Sequence, residues 1–456
     1  MSTTSATTRQ WQFPQDVRRE YRTARRGQGI RIWDTEGREY IDADSGAISV
    51  VSIGHGVTEV ADAMAEQAGR LAYVHDGQFQ HEAAEELAAA VARFAPGSLN
   101  RTAFVSGGSE AVESAVKLAR HYHVLRGRES KHVVLSRARS YHGATVFALS
   151  LSGVPRRQEP YLPYMASGHP EVVAPYCYRC PLGLAYPSCE NACATDLERA
   201  IEAVGPEQVS AFISEPIVAA AGPGITPQPG YYERIREICD RHDILMISDE
   251  VVTGFGRTGR NFGIEHWGVE PDVIVTAKGL AGGYVPLGAV IMSDAVAETF
   301  IGSNTSLVHD FTYGAHPVAC AAGLAVLRII ERDRLVDNAA VQGEYLFQRL
   351  HALAETQPLI GDVRGKGLLA ALELVADQDT GRPAPPSLEL GRKVHLAAQA
   401  RGLMIYPGAG ADGVAGDQVL VSPPLTVRAD EIDEIVDRLA LGLKDVESLT
   451  RADVST

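Results

Sequence analysis

The sequence is poor in cysteine, in basic residues and in long apolar runs, and each shortage excludes a class of protein. Six cysteines in 456 residues, with no secretion signal ahead of them, are too few for a disulfide scaffold. The first ten residues are polar, and no uninterrupted apolar run reaches the roughly 18 residues needed to cross a bilayer. We therefore expect a cytoplasmic protein without a membrane-spanning segment.

Acidic residues outnumber basic ones. Lysine and arginine total 42 against 57 aspartates and glutamates, which gives a formal net charge of −15. Such a chain repels nucleic acids and anionic membranes at long range. We expect neither as a partner and predict that the protein acts on small metabolites.

The middle of the chain alternates short apolar runs with helical periodicity. This alternation predicts an α/β fold in which helices cover both faces of a parallel sheet. The helical spacing is clearest in Ser109–Leu125 and Tyr231–His242. The candidate strands are Thr102–Val105, His132–Leu135, Val209–Ile213, Ile244–Ile247, Val273–Thr276 and Ala289–Met292.

The two ends of the chain follow another pattern, which predicts a smaller α+β domain built from both termini. Arg31–Asp42 resembles a hairpin, and Arg364–Val375, Gly402–Tyr406 and Gln418–Val421 resemble strands. We expect residues 1–70 to form the first part of this domain, 71–330 the large domain, and 331–456 the rest of the small one.

A glycine turn between a strand and a helix is the first candidate site. Gly107, Gly108 and Ser109 open the helix, where unpaired N–H groups and the helix dipole favour a phosphate. Glycine allows close approach, and Ser109 adds a hydroxyl donor. The alternative is an ordinary strand-to-helix turn capped by serine.

A second candidate is Asp249, which follows an apolar strand. Ligands of open α/β sheets bind beyond the carboxyl ends of the strands. A carboxylate there can pair with a protonated ring nitrogen and make the ring an electron sink. Alternatively, Asp249 and Glu250 are both solvated or cap the next turn, and Glu250 fits that role better.

The third candidate is Lys278, which also follows an apolar strand and is flanked by glycine on its far side. Desolvation and nearby cations lower the pKa of such an amine and make it a nucleophile toward an aldehyde. A lone lysine after a strand is ordinarily solvated, but this one accompanies Asp249 and the glycine turn.

Phosphate turn, acid and lysine come in the order and spacing of the class III, or ω-type, aminotransferases of pyridoxal-phosphate (PLP) fold type I, and the resemblance extends over nearly the whole chain. It rests on Ser106-Gly-Gly-Ser-Glu110, Tyr141-His142-Gly143, Glu215-Pro216-Ile217, Asp249-Glu250-Val251, Gly254-Phe-Gly-Arg-Thr-Gly259, Ala277-Lys278-Gly279 and Phe311-Thr-Tyr-Gly-Ala-His-Pro317. It implies a large domain with a mostly parallel seven-stranded sheet.

The resemblance also implies roles for single residues. Lys278 would bind PLP as a Schiff base and then move a proton, while Asp249 would bind the pyridine nitrogen. Tyr141 would stack on one face of the ring and Val251 on the other. The remaining members of the implied cofactor site are Gly107, Gly108, Ser109, His142, Glu215 and Thr312, the last supplied by a neighbouring subunit. A homodimer, or a tetramer built from it, is therefore implied.

The chain departs from the family pattern where glutamate-using members carry an arginine opposite the equivalent of Glu215. Leu420 stands at that position, and Tyr406 stands where amine:pyruvate members carry a movable arginine. A phenol is a poor substitute for a guanidinium that grips a carboxylate with two hydrogen bonds. The insertion Gly408–Asp417 is a further candidate for shaping the pocket.

These features predict an aminotransferase that moves an amino group from an amine or ω-amino acid to a 2-oxo acid, pyruvate in particular, by a ping-pong mechanism. The cofactor motifs also fit other PLP reactions, namely those of racemases, decarboxylases and phospho-lyases. A third alternative is a binding protein that keeps the fold without catalysis. The presence of both Lys278 and Asp249 argues against it.

No metal is expected at the reaction centre, but a cysteine cluster leaves one alternative open. Cys177, Cys180, Cys189 and Cys193 are separated by two, eight and three residues and could present four thiolates to a structural zinc. The other interpretation is that they pack as small apolar groups. A disulfide does not suit the expected compartment.

Overall fold

The computed structural model describes residues 11–17, 19–166, 170–410 and 416–454. Its helices are α1 Thr58–Arg70, α2 Glu82–Phe94, α3 Gly108–Leu125, α4 Val146–Ser150, α5 Pro155–Gln158, α6 Ala192–Val204, α7 Tyr231–Arg241, α8 Asp294–Gly302, α9 Pro317–Arg332, α10 Leu335–Thr356, α11 Leu390–Ala400 and α12 Ala429–Val454. Its strands are β1 Ala24–Gln28, β2 Arg31–Asp34, β3 Glu39–Asp42, β4 Leu99–Val105, β5 Val133–Arg137, β6 Glu171–Val172, β7 Val209–Ser214, β8 Leu245–Asp249, β9 Val273–Thr276, β10 Gly288–Ser293, β11 Ile360–Lys366, β12 Leu369–Asp377, β13 Arg382–Pro383, β14 Leu403–Met404, β15 Tyr406–Ala409 and β16 Asp417–Val421.

A seven-stranded sheet forms the centre of the fold, in the order β4-β10-β9-β8-β7-β5-β6. Strands β6, β5, β7, β8 and β9 run parallel, and β10 runs antiparallel to both of its neighbours. Every residue of β5, β7, β8 and β9 is buried. Helices cover both faces, which explains why these strands read as continuous apolar runs. The predicted mostly parallel sheet is confirmed.

The end segments build two smaller sheets. In the first, β1, β2 and β3 form an antiparallel meander, and β14 from the C-terminal part joins it parallel to β3. The second has the order β11-β12-β16-β15 and is antiparallel. The predicted hairpin over Arg31–Asp42 is confirmed, and the N-terminal and C-terminal segments do pair.

Two predicted strands of the C-terminal part were wrong in their extent. Arg364–Val375 is not one strand, because the chain turns at Gly367 and β11 pairs back on β12. Gly367 has a φ of 56°, and a Cβ there would lie 2.4 Å from the Thr258 carbonyl carbon. Gly402–Tyr406 is divided at Ile405, because β14 pairs with β3 whereas β15 pairs with β16.

Other predicted boundaries moved by one to three residues, and the short edge strand β6 was missed. β8 extends to Asp249 itself, so this carboxylate lies at the last position of the strand. Part of the insertion Gly408–Asp417 lies outside the described residues, while the Gly410 N–H donates to the Gly416 carbonyl at 2.8 Å. Among the described helices, none has the length and apolar character to cross a membrane.

Candidate active site

Helix α3 begins at the carboxyl end of β4 and offers unused N–H groups. Ala111 is the first residue whose N–H bonds back, to the Gly107 carbonyl at 3.0 Å. Within the described part of the chain, the N–H groups of Gly108, Ser109 and Glu110 have no protein acceptor. A Cβ on Gly108 would lie 3.1 Å from both methyl carbons of Val251, so a side chain there would crowd Val251. These N–H groups can hold an anion such as a phosphate.

The turn that follows β5 packs directly on this helix start. The Ser109 hydroxyl accepts a hydrogen bond from the Ala144 N–H at 3.0 Å. Gly143 has a φ of 145°, and a Cβ there would lie 2.8 Å from Ser109 Oγ. Glycine is therefore required at position 143 if Ser109 is to keep its place. Tyr141 and His142 precede this glycine and reach the same region.

Asp249 and His142 form a buried pair. The side chain of Asp249 is 3% exposed and that of His142 is fully buried. Asp249 Oδ2 accepts a hydrogen bond from His142 Nδ1 at 2.6 Å, and Oδ1 accepts one from the Val251 N–H at 3.1 Å. His142 Nε2 has no hydrogen-bond partner in the described structure. The alternative that Asp249 is solvated is therefore wrong, because the β8 end is covered.

Glu250 points away from this pair and is also buried. Its Oε1 accepts the Ile264 N–H and its Oε2 the Gly263 N–H, each at 2.8 Å. The Thr253 hydroxyl donates to the same carboxylate. Glu250 does cap a turn, but the turn is the distant one at Gly263–Trp267 rather than the next one, and the alternative of a solvated carboxylate is wrong.

Lys278 follows β9, the neighbour of β8 in the sheet. The register pairs Asp249 with Val275, so the lysine leaves the sheet beside the Asp249 carboxylate. Its ammonium donates to the Ile48 carbonyl at 3.0 Å, and its backbone has a φ of 38°, a strained value for a residue with a side chain. Burial lowers the pKa of Lys278 to about 8, with a further lowering by Arg257, against the opposing effect of Asp249 and Glu215.

Glu215 follows β7 and completes a row of three neighbouring strand ends. Its Oε2 accepts the Tyr141 N–H at 3.0 Å. Burial raises the pKa of Glu215 to about 7, and His142 opposes the shift. Arg137 donates to the Glu215 backbone carbonyl rather than to the carboxylate. Among the described residues no guanidinium or ammonium forms a salt bridge with the Glu215 side chain.

The segment from Ser45 to Ser49 forms the wall opposite the strand ends. All five residues have positive φ values, from 52° to 74°. Asp42 and Asp44 hold the turn by accepting the N–H groups of Gly46 and Ala47 at 2.9 and 3.0 Å. Buried Arg257 donates to Ser45 Oγ at 3.3 Å and to two backbone carbonyls. Lys278 and Arg257 therefore both contact this segment.

Thr312 differs from the other candidates because it lies in an exposed loop between α8 and α9. Its carbonyl accepts a hydrogen bond from the Tyr73 hydroxyl. The rings of Tyr73 and Tyr313 meet edge to face at 6.1 Å. The structure thus brings together Lys278, Asp249, His142, Glu215 and the helix start within one chain, and leaves Thr312 on the surface.

Two contacts of this region were not predicted from the sequence. Ile48 provides the carbonyl that holds Lys278, but a run of positive φ values has no sequence signal when only one of its five residues is glycine. Arg157 lies with its guanidinium carbon 4.7 Å from the centre of the Tyr141 ring. No motif or spacing pointed to it.

The four clustered cysteines line one small cavity together with Tyr176, Tyr186 and Gln228. Burial raises the pKa of Cys193 to about 11, and it also raises the pKa of Cys177. Within the ranges that the structure describes, no three histidine, cysteine or carboxylate side chains are placed to hold a metal ion. The placement of the four side chains therefore favours packing as small apolar groups.

Comparison with known proteins gives one consistent family. The sequence model of the class-III aminotransferases matches residues 13–443. A diaminobutyrate–2-oxoglutarate transaminase of Halomonas elongata is 39% identical over 93% of this chain and 91% of its own length. A putrescine–pyruvate aminotransferase of Pseudomonas aeruginosa is 35% identical over 95% of both chains.

A solved structure agrees with this result. The PLP-bound crystal structure of an amine transaminase from an uncultivated Pseudomonas species superposes with a TM-score of 0.89 at 35% identity. The match covers 98% of this chain and 100% of that one.

Proposed function

This chain belongs to the class-III aminotransferase family of PLP-dependent enzymes, and from that premise we propose that it transfers an amino group from an amine or ω-amino acid to pyruvate. The reaction has two halves. The donor first leaves its amino group on the enzyme, and the 2-oxo acid then takes it up, so that one site handles both substrates in turn.

The residues present fit the cofactor. We assign the phosphate to the free N–H groups of Gly108 and Ser109 after the Gly107 turn, because these donors have no protein acceptor and stand at the positive end of α3. We assign the ring to the space between Tyr141 and Val251, where the buried Asp249 carboxylate can meet its nitrogen. When bound, PLP supplies an aldehyde that takes up amines and a ring that accepts electrons.

Lys278 is proposed as the catalytic base. A pKa of about 8 leaves part of the amine unprotonated near neutral pH, as attack on an aldehyde requires. The same Nζ is placed to remove a proton from the donor carbon and to return it, because it emerges next to the Asp249 strand end.

Asp249 and His142 are proposed to act as a unit. The carboxylate keeps the ring nitrogen protonated, and the histidine orients the carboxylate through its 2.6 Å hydrogen bond. Glu215 binds the Tyr141 N–H and so fixes the turn that carries the stacking ring.

The choice of pyruvate rests on one observation at the substrate side. Glu215 has no arginine partner among the described residues, and Tyr406 and Leu420 stand where the family pattern has arginines. A second carboxylate, such as that of 2-oxoglutarate, would find no guanidinium at either position. One relative is named for pyruvate and another for 2-oxoglutarate, so the relatives do not decide between the two acceptors. The residues of this chain favour pyruvate.

A homodimer is proposed as the working assembly. Tyr73, Phe79, Val308 and Tyr313 surround the Thr312 loop and are 38% to 84% exposed in the single chain. Such a patch of large apolar side chains suits a subunit interface. Thr312 of one chain would then complete the phosphate site of its partner.

A donor and acceptor screen tests the function. Purified holoenzyme is assayed with aliphatic amines, ω-amino acids and α-amino acids as donors, each against pyruvate and 2-oxoglutarate. We expect transfer from amines to pyruvate, and conversion of the bound cofactor to its amine form when donor is added alone. Racemisation of an amino acid without this spectral conversion, or exclusive use of 2-oxoglutarate, would contradict the proposal.

A further inference from the structure

Tyr406 and Leu420, which stand where the family pattern has arginines, face each other across a pair of strands. Tyr406 on β15 and Leu420 on β16 are register partners in an antiparallel ladder. Directly opposed residues of such a ladder project from the same face, with their Cβ atoms about 5 Å apart. Leu420 is fully buried and Tyr406 is partly exposed. The small domain therefore presents an apolar and a phenolic side chain at one place, and no charge.

A guanidinium reaches this place from the large domain. Arg157 lies in the short helix α5, which follows the Tyr141 turn and helix α4. Its Nη2 donates to the Tyr406 hydroxyl at 3.3 Å, and its guanidinium carbon lies 4.7 Å from the centre of the Tyr141 ring. Arg157 thus connects the aromatic ring proposed to stack on the cofactor with the strand pair that lacks arginine.

The positive charge of Arg157 has no protein counterion. Within the described parts of the chain, no carboxylate lies within ion-pair distance of the Arg157 guanidinium, which contacts the Tyr406 hydroxyl and the Tyr141 ring instead. By contrast, Arg364 pairs with Asp362 at 3.0 Å and with Glu373 at 2.8 Å. A guanidinium carries five N–H donors, and here one of them is used.

We propose that Arg157 binds the carboxylate of the 2-oxo acid acceptor and of the amino acid formed from it. This inference rests on the proposed function and names the residue that recognises its second substrate. A planar guanidinium can hold a carboxylate by two parallel hydrogen bonds, while the Tyr141 ring supports its other surface. Tyr406 is a positioning residue, since its hydroxyl orients the guanidinium.

The assignment also defines a substrate class. One free guanidinium holds one carboxylate, so monocarboxylic 2-oxo acids are accepted and dicarboxylic ones gain no further ion pair. Amines without a carboxylate do not use Arg157. The two half-reactions therefore differ in their need for this residue, and the difference can be measured in one enzyme.

The test replaces Arg157 by methionine, which keeps an unbranched side chain without the charge. Single-turnover rates of the holoenzyme are measured with butylamine, with L-alanine and, for the amine form of the enzyme, with pyruvate. For Arg157→Met we expect the half-saturating concentrations of pyruvate and alanine to rise on the order of 10- to 100-fold, the loss of a charge-assisted contact. The butylamine reaction should stay within roughly twofold of wild type.

Three further variants separate recognition from structure. Arg156→Met makes the same change at the preceding, exposed position and should leave all three reactions unchanged. Arg157→Lys keeps the charge without the planar fork and should recover part of the lost affinity. Tyr406→Phe should weaken pyruvate binding by a few-fold only, because the guanidinium loses its support but stays present.

The outcomes divide clearly. Equal impairment of butylamine and pyruvate in both Arg157→Met and Arg157→Lys would show a structural role and overturn the inference. Unchanged pyruvate saturation in Arg157→Met would also overturn it, although the proposed function would stand. If wild-type enzyme converts its cofactor with butylamine but transfers nothing to any 2-oxo acid, the proposed function fails and the inference fails with it.

Discussion

At the scale of single residues, the site depends on an amine that burial keeps partly unprotonated. The side chain of Lys278 is held by the Ile48 carbonyl, and its backbone lies in the left-handed region, so both ends of the residue are constrained. Little reorganisation would then be needed for the reaction that we propose for this amine. The pKa of about 8 follows chiefly from burial, which disfavours the charged form.

This environment gives a pH prediction. The neutral amine is the reactive form, so the rate at which the cofactor-free enzyme captures PLP should rise with pH up to about 8 and then level off. The rate is followed by stopped-flow absorbance, with a lysine peptide that lacks the fold as the reference. A capture rate that keeps climbing toward the ordinary lysine pKa of 10.5 would contradict the shifted value.

The neighbouring acids Asp249 and Glu250 should differ sharply in what they do. Asp249→Asn removes the charge proposed to keep the ring nitrogen protonated, and we expect kcat to fall on the order of 100-fold or more. Glu250→Gln instead weakens the cap on Gly263 and Ile264, and we expect a lower Tm with a nearly unchanged rate for the folded enzyme. Kinetics and thermal unfolding of both variants check this. A loss of stability without a loss of rate in Asp249→Asn would refute the assignment.

The placement of Lys278 and Asp249 side by side could be predicted from the sequence because each comes at the end of an apolar strand, and the carboxyl ends of parallel strands share one edge. The burial of Glu250 could not, since the segment that covers it is supplied by residues 13 or more positions away. The role that we propose for Arg157 could not be predicted for a similar reason. It depends on a contact with Tyr406, which comes 249 positions later.

At the scale of elements, a buried charge cluster ties the cysteine-bearing segment to β12. The side chain of Glu373 is fully buried and accepts hydrogen bonds from Arg364 Nη2 at 2.8 Å, Arg179 Nε at 3.0 Å and the Tyr176 hydroxyl at 2.7 Å. Tyr176 and Arg179 flank Cys177 in the chain. The cluster therefore orders a segment that has little regular structure of its own.

Replacing Glu373 should lower the free energy of unfolding substantially. Glu373→Gln leaves two arginines facing each other without their shared countercharge, and we expect a loss of about 3 kcal/mol or more in the free energy of unfolding. Asp445→Asn breaks the exposed pair with Arg401 and should cost less than about 1 kcal/mol. Urea unfolding of the two variants in parallel gives the comparison. Equal losses in the free energy of unfolding would show that the buried cluster stabilises the protein no more than the exposed pair does.

The C-terminal strands show where periodicity fails to predict an element. Leu369–Val375 is buried at every position, whereas β11 is mostly half-buried and carries Asp362, Arg364 and Lys366, so apolar content alone does not mark β11 as the partner strand of the hairpin. The turn is imposed by Gly367, whose close approach to Thr258 is a tertiary contact. Similarly, the strand is divided at Ile405 because the residues before it pair with β3 and the residues after it pair with β16.

At the scale of the whole molecule, the order of strands explains why distant motifs converge. The ends of β7, β8 and β9 are adjacent in the sheet, and they bring Glu215, Asp249 and Lys278 together although the first and the last are 63 positions apart in the sequence. Periodicity and motif order predicted this layer. We also propose domain boundaries near residues 70 and 330, as the pairing of β3 with β14 suggests, with α1 packed across the first boundary on α9.

Subunit exchange tests whether Thr312 acts across an interface. Lys278→Ala and Thr312→Arg each inactivate the homodimer if both residues serve the site. In a mixed dimer, one site carries both changes, while the other combines an intact Lys278 with the intact Thr312 of its partner. We therefore expect activity to return when the two inactive variants are unfolded together, refolded as a mixture and resupplied with PLP.

The size of the recovery is set by the statistics of mixing. Random pairing of equal amounts makes half of the dimers mixed, each with one intact site, so about a quarter of wild-type activity should return. Refolding each variant alone is the control and should recover none. If Thr312 instead served its own chain, every site would carry one of the two substitutions, in mixed dimers as well as in unmixed ones. The mixture would then stay inactive.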